Sequence, residues 1–231
     1  MKVQGSTAFV TGANRGLGRA YAQALLDAGA ARVYAGARDP STVKLAGVVP
    51  VRIDVTDAAS VAAASVQCGD TNIVVNNAGI IGTTPLLAAG GDGALRDVLE
   101  TNLHGMLAVS RAFAPILRRN GGGALVNMLS VLSWLSLPAT GAYSVSKAAA
   151  WALTNGLRNE LRAQGTLVVA IHAGFIDTDM ARGVDAAKAR PEDIAKAAIA
   201  GLEADVQEVL ADDTTRHVKQ GLVAQPPAYL A

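Results

Sequence analysis

Seven short runs in this chain are apolar almost residue after residue: Thr7–Thr11, Arg32–Gly36, Val49–Asp54, Ile73–Asn76, Ala124–Met128, Leu167–His172 and, more weakly, Glu208–Ala211. A strand with one wet face alternates apolar and polar positions, whereas a strand covered on both faces does not. Helical stretches separate the runs, at Leu17–Gly29, Ala58–Val66, Ala94–Arg119, Tyr143–Gln164 and Pro191–Ala204. The last opens Arg190-Pro191-Glu192-Asp193, with proline in a first-turn position and acids at the positive helix end. Buried strands joined through helices need right-handed crossovers, which predicts a doubly wound parallel sheet of about seven strands with helices on both faces. No repeat, linker or composition shift divides the chain, so a single α/β domain is expected over residues 1–231.

Charge and composition narrow the function. Twenty Lys and Arg against nineteen Asp and Glu leave a net charge of +1, without the basic surplus of a nucleic-acid binder or a polybasic membrane-surface protein. With 51% hydrophobic and 17% charged residues, disorder is excluded. Cys68 is the single cysteine, so no internal disulfide and no cysteine zinc site can form. His104, His172 and His217 carry no ligand spacing, and no metal site is expected. The first apolar run breaks at Gly12, too soon for a signal-peptide core. The stretch Ala124–Ala139 is interrupted by Asn127, Ser130, Ser133, Ser136 and Pro138. A soluble cytoplasmic protein with neither membrane nor nucleic-acid partner is the expectation.

The first strand runs directly into Thr11-Gly12-Ala13-Asn14-Arg15-Gly16-Leu17-Gly18 and then a helix. Glycines there let the backbone turn sharply and approach a pyrophosphate, which sits on the free N–H groups of the helix start. The spacing is Gly-x-x-x-Gly-x-Gly rather than the general Gly-x-Gly-x-x-Gly, but the strand–turn–helix setting supports a Rossmann-type dinucleotide site. At the end of the second strand, where an acid binds the ribose of NAD or an arginine takes the extra phosphate of NADP, stands Arg38. Arg15 is a second arginine within reach of such a phosphate. NADP(H) is therefore favoured over NAD(H), while the neighbouring Asp39 leaves NAD open.

Tyr143 and Lys147 lie four residues apart on a helical stretch and share one face, and Ser130 closes a buried strand at the carboxyl edge of the sheet. A tyrosine that protonates a substrate oxygen near neutral pH needs its pKa drawn down by several units, and a nearby ammonium does this only in a dry cleft. A serine hydroxyl can donate to and accept from the same oxygen. A Tyr-x-x-x-Lys pair taken alone is common on helices and more often marks two surface residues.

Taken together these segments resemble the single-domain branch of the short-chain dehydrogenase/reductases, over essentially the whole length. The glycine turn looks like that family's cofactor turn, Asp54-Val55 like its adenine-contacting pair, and Asn76-Asn77-Ala78-Gly79 like its strand-four motif. Asn102 matches the asparagine of the fourth helix, and Ser130, Tyr143 and Lys147 match the active-site spacing. TGANRGLG and AGARDP look especially like the NADPH-dependent carbonyl reductases. The resemblance implies hydride transfer to a carbonyl, or from an alcohol. Tyr143 would be the general acid and Lys147 would depress its pKa and hold the nicotinamide ribose. Ser130 would orient the carbonyl, and Asn102 would hold a water in a proton relay. Gly12, Asn14, Arg15, Gly16, Leu17, Gly18, Arg38, Asp54, Val55, Asn77, Ala78, Gly79, Gly174, Ile176 and Thr178 would line the cofactor.

The chain also departs from the pattern. The family's Pro-Gly after strand six is Ala173-Gly174 here, which removes a rigid φ angle. The substrate lid, Met180 to Arg190, is short, and Asp39–Val48 leaves little room for a helix. The C-terminus lacks the usual Asp-Gly-Gly. Ile80, Ile81, Leu132, Trp134, Phe175 and Met180 are the candidate pocket, mostly apolar, which points to apolar or aromatic aldehydes and ketones. His172 reads as a strand-end histidine. An NAD-dependent alcohol dehydrogenase is the second enzyme reading. A non-catalytic nucleotide-sensing regulator is a third, which would not need the complete Ser130, Tyr143 and Lys147 set. The resemblance further implies a homo-dimer or homo-tetramer built on the two long helices.

Overall fold

The computed structural model describes residues 1–230. Seven parallel strands form one sheet in the order β3-β2-β1-β4-β5-β6-β7: β1 Thr7–Thr11, β2 Arg32–Ala37, β3 Val49–Arg52, β4 Ile73–Asn76, β5 Ala124–Met128, β6 Leu167–His172 and β7 Glu208–Leu210. This is the Rossmann-type α/β architecture. The helices are α1 Gly16–Asp27, α2 Ala58–Gln67, α3 Gly91–Leu99, α4 Gly105–Arg119, α5 Gly141–Leu161, α6 Pro191–Glu203 and α7 Asp213–Gly221. Among the described residues no helix is long and apolar enough to cross a membrane.

The continuously apolar strands are accounted for by two cores, one on each face. Ala8 and Val10 point to the face covered by α1 and α6, among Tyr21, Leu25, Ile194 and Leu202. Phe9, between them, points to the other face and stacks on Phe113 of α4 at 4.7 Å between ring centroids. The same division recurs on β4, where Ile73 and Val75 join the first core and Val74 the second.

Three segments differ from the sequence reading. The stretch expected as one helix from Ala94 starts earlier, at Gly91, and contains a π-turn at Glu100–His104, in which the Gly105 N–H donates to the Glu100 carbonyl. Such a turn widens the helix by one residue and re-aims its side chains, Asn102 here. The third strand ends at Arg52, two residues before Asp54, because Asp54 turns away to accept from the Thr56 N–H and hydroxyl. The third is α7, which the sequence reading lacked. Its signal is a reciprocal cap, in which the Asp212 side chain accepts from the Thr215 N–H at 2.8 Å while the Thr215 hydroxyl lies 3.3 Å from the Asp212 N–H. As expected, no helix fits between β2 and β3, where a single 3-10 turn, Pro40–Thr42, makes the connection.

Phe113 is fully buried, so Phe113→Ala is expected to lower unfolding stability by about 3–5 kcal/mol. Urea denaturation measures it, and a loss under about 1 kcal/mol would mean that this core repacks around the gap.

Candidate active site

The strand order reverses direction between β1 and β4, and a crevice opens there at the carboxyl ends. One wall is the glycine turn. Gly12 has a φ of +67° and Gly18 packs so closely that a Cβ on it would lie 2.0 Å from the Gly12 carbonyl oxygen. α1 follows with Arg15 at its cap position, extended and without a side-chain cap. The N–H groups of its first turn thus face the crevice without an intrahelical acceptor, the arrangement that receives a phosphate. The turn is braced from β4. The Thr11 hydroxyl accepts from both the Asn77 and Ala78 N–H groups at 3.0 Å, and the Asn77 side-chain amide donates to the Thr11 carbonyl at 2.9 Å. The residues present therefore fit a dinucleotide.

At the adenosine end the charges are arranged unevenly. Arg38 is exposed and makes no ion pair among the described residues, while its charge favours the ionised form of Asp54. The Asp39 carboxylate accepts from the Ser41 N–H at 2.9 Å, which caps the 3-10 turn and lowers its pKa. Asn14 donates to the Thr42 hydroxyl at 3.1 Å. Arg15 does not lie beside Arg38. It reaches across to the lid and pairs with Asp179 at 2.8 Å, and Arg182 binds the same carboxylate. Thr178 packs on Gly16, so the lid and the glycine turn meet there. The lid itself is closed at its base, where the Ala189 N–H donates to the Phe175 carbonyl at 2.8 Å and the Asp177 N–H to the Ala189 carbonyl at 2.9 Å.

The second wall carries Ser130, Tyr143 and Lys147. Ser130 follows β5 in extended conformation, with its hydroxyl accepting from the Leu132 N–H at 3.1 Å. Tyr143 and Lys147 stand on the first turns of α5, the Lys147 Nζ 5.6 Å from the Tyr143 ring centroid. Lys147 is buried and donates to the Met128 carbonyl at 2.8 Å. Burial pushes the Tyr143 phenol up to about 12, with Ser130 acting weakly in the opposite direction. Burial pulls Lys147 down to about 8. Desolvation thus raises the phenol, opposite to the shift a strong acid needs, because each charge is disfavoured in the dry wall before it can stabilise the other.

Asn102, aimed by the π-turn, has a fully engaged side-chain amide. Its Oδ1 accepts from the Ile80 N–H at 2.8 Å, and its Nδ2 donates to the Ile80 carbonyl at 2.9 Å and to the Ser146 hydroxyl at 3.0 Å. Ser146 in turn donates to the Tyr143 carbonyl at 2.7 Å. The side chain ties the β4 loop to the turn of α5 that carries the tyrosine. Of the expected pocket residues, Ile80, Ile81 and Met180 present apolar surface, whereas Leu132 is buried. Trp134 packs edge-on against Trp151 and stacks on His172, so its ring is engaged from behind.

Sequence reasoning missed Asp212. Its second oxygen accepts from the Gly174 N–H at 2.6 Å, which restrains the loop where the family's proline is replaced by Ala173.

The family model described as short chain dehydrogenase matches residues 6–189. The chain belongs to the short-chain dehydrogenase/reductase family, and with it to the oxidoreductases. It is 37% identical over 203 residues to the short chain dehydrogenase tazN of Aspergillus terreus, an alignment that covers 80% of this chain but 44% of that longer protein. To the 3-oxoacyl-acyl-carrier-protein reductase FabG of Salmonella typhimurium it is 32% identical over 193 residues, 80% of this chain and 79% of the relative. Among solved structures, a short chain dehydrogenase from Burkholderia cenocepacia in complex with NADP superposes with a TM-score of 0.94 at 40% identity, covering 99% of this chain and 97% of that one.

Lys147 yields a pH test. Its folded pKa is depressed from 10.5 to about 8, so the unfolded chain binds the proton more tightly between those values. Folding stability from this residue therefore rises as pH increases from about 8 to 10.5. Thermal denaturation of the cofactor-free protein across that interval is expected to show wild-type stability rising relative to Lys147→Met, a comparison that cancels groups such as buried Cys68 that titrate in both. Parallel curves would place the ammonium in a wetter site.

Proposed function

We propose that the protein is an NADPH-dependent carbonyl reductase that converts apolar or aromatic aldehydes and ketones to alcohols. The observation that carries this reading is the meeting of Ser130, Tyr143 and a buried Lys147 on one wall of a crevice whose opposite wall is an uncapped helix start. A dinucleotide bound along the glycine turn would supply the hydride. The first-turn N–H groups of α1 would hold its pyrophosphate, Asp54, Val55, Ala78 and Gly79 would border the adenine side, and Gly174, Ile176 and Thr178 the nicotinamide side. Lys147 would hold the nicotinamide ribose.

The chain's own groups then manage the oxygen and its proton. The Ser130 hydroxyl donates to the carbonyl oxygen and orients it. Tyr143, a phenol that is neutral at pH 7 and that desolvation raises further, transfers its phenolic proton to that oxygen as negative charge develops. Lys147 remains mostly protonated at pH 7 and stabilises the phenolate left behind. Asn102 acts through the fold, fixing the turn of α5 from which Tyr143 projects, rather than through a side-chain-bound water. The exposed apolar surface of Ile80, Ile81 and Met180 favours substrates with little charge. Homo-oligomerisation through α4 and α5 is part of the same reading, and sedimentation tests it.

NADPH is preferred over NADH because Arg38 is free while the Asp39 carboxylate, which would take the ribose hydroxyls of NAD, is engaged as a cap. One charge-assisted bond is worth about 1.5–3 kcal/mol, so Arg38→Ala is expected to reduce the NADPH preference by roughly ten- to a hundredfold in a fluorescence titration. Equal loss for both cofactors would remove Arg38 from the phosphate site, and tighter NADH binding by the wild type would favour the NAD-dependent dehydrogenase.

Tyr143→Phe is expected to lower kcat for reduction of an aromatic aldehyde by at least about a hundredfold while cofactor binding persists. Full retention of rate in that variant would overturn the assignment of the acid. Cofactor binding without turnover of any carbonyl by the wild type would favour a nucleotide-sensing role.

A further inference from the structure

Directly behind Ser130 lies a cluster of side chains that the reaction does not use. His172, the last residue of β6, is completely buried. Its Nδ1 is 3.1 Å from the Ser130 carbonyl oxygen, and its Nε2 is 3.5 Å from Glu208 Oε1 on β7. The other carboxylate oxygen of Glu208 pairs with Lys219 of α7 at 3.0 Å. The Lys219 ammonium sits 4.6 Å above the Trp134 ring, and Trp134 stacks on the His172 imidazole at 4.1 Å. Four elements at the end of the sheet are thereby closed into a ring of contacts around one histidine.

The chemistry of the partners sets the roles. A carbonyl only accepts, so the hydrogen of the Ser130 contact belongs to Nδ1. A carboxylate also only accepts, so Nε2 meets Glu208 favourably when it too carries a proton. No other group reaches that nitrogen, and the 3.5 Å separation is long for a hydrogen bond. The Glu208 carboxyl is nonetheless held down at about 2, chiefly by His172 and then by Lys219. Arg158 of α5 adds a second cation beside Lys219, with its guanidinium 3.0 Å from the Gln207 carbonyl. The Ser130 carbonyl accepts from His172 and also from the Ser133 N–H at 3.0 Å, so both of its lone pairs are taken. Ser130 lies two residues beyond the end of β5; the Leu129 and Val131 N–H groups on either side of it still donate to the Ile171 and Ala173 carbonyls, at 2.8 and 2.9 Å, while its own carbonyl faces His172.

We propose that His172 is a positioning residue for Ser130, with Glu208 as its anchor. The imidazole, bonded to the Ser130 carbonyl on one side and facing the Glu208 carboxylate at 3.5 Å on the other, fixes the peptide from which the Ser130 hydroxyl projects, while Lys219 holds Glu208 and Trp134 packs on the ring. The proposal rests on the assignment of Ser130 to the substrate carbonyl. It deepens that assignment by naming what orients the serine and by giving the segment after β7 a part in the site.

A double-mutant cycle separates this role from a merely structural one. His172→Phe keeps a flat ring against Trp134 and removes both polar contacts. In the wild-type background it is expected to lower kcat about tenfold, as a misplaced contact does, with NADPH affinity changed less than twofold. In a Ser130→Ala background the same change is expected to cost less than about twofold, because a residue that acts through Ser130 has nothing left to position. Glu208→Ala, at a side chain 34% exposed, is expected to lower kcat in the same direction. Glu208→Gln is expected to restore most of it, since an amide can still bond the imidazole. An equal loss in both backgrounds, no loss from His172→Phe, or a Glu208→Gln no better than Glu208→Ala would overturn the positioning role. An active Ser130→Ala with full kcat would instead overturn the assignment of the serine, and this proposal with it.

Discussion

Asn76 on β4 and Asn127 on β5 are side by side in the sheet register, and a hydrogen bond of 2.9 Å joins their side chains in the middle of an apolar layer. From that pair one bond goes to each covering helix: Asn76 donates to Ser110 of α4 at 3.0 Å, and Asn127 to Thr154 of α5 at 3.0 Å. Apolar packing alone tolerates small rotations of a helix over a sheet. A buried amide stripped of its partner costs about 1–3 kcal/mol, so these bonds select one rotation for each helix. The selection matters because of spacing. Asn102 precedes Ser110 by eight residues and Lys147 precedes Thr154 by seven, each about two turns away on the same face. Polar bonds near the carboxyl ends of β4 and β5 thereby determine where Asn102 and Lys147 arrive at the edge of the sheet.

The edge itself is a compromise between stability and chemistry. A buried lysine and a partly buried tyrosine both lie in the direction that desolvation dictates, the phenol high and the amine low. That arrangement has a use. At neutral pH the phenol retains its proton and the amine is still mostly charged, so the pair holds a donor and the cation that stabilises its conjugate base. The Met128 carbonyl keeps the ammonium in place without neutralising it. The glycine turn has the complementary property: its N–H groups are left without intrahelical acceptors, and α1 has no side-chain cap. Both walls carry unpaired capacity aimed into the crevice, which is where an α/β sheet binds its ligand.

Most of the sheet was legible because burial on both faces leaves a plain mark, and six of the seven strands lie within one residue of the apolar runs. The exception, Val49–Asp54, shows the limit: Asp54 belongs to the turn, since its carboxylate satisfies Thr56 rather than a strand neighbour. The π-turn at Glu100–His104 was illegible, as the apolar period continues through it and only the backbone records the extra residue. The helix α7 was invisible for a different reason. It is hydrophilic, with Thr215 alone fully buried, so it has no apolar stripe to read, although Asp212 and Thr215 had the spacing of a cap. At the candidate site the sequence carries residue types and their order. The long-range pairings there were not legible. That Arg15 meets Asp179 instead of standing with Arg38 depends on where two loops meet, 164 residues apart in the chain.

The C-terminal segment shows how a lost restraint is replaced by a different kind of contact. A proline after β6 limits the loop by covalent geometry, at no cost in partners. Here Ala173 leaves the backbone free, and restraint comes from Asp212, one oxygen on Gly174 and the other capping α7. The same helix brings Lys219 to Glu208 and Trp134. A restraint made of hydrogen bonds and ion pairs holds only while α7 is docked, whereas a proline holds always. The position of the loop that carries Ile176 and Thr178 is therefore coupled in this chain to the docking of a short polar helix. If His172 positions Ser130 as proposed, the strand end that carries Ser130 depends on the same helix, and two walls of the candidate site share a restraint that belongs to the fold.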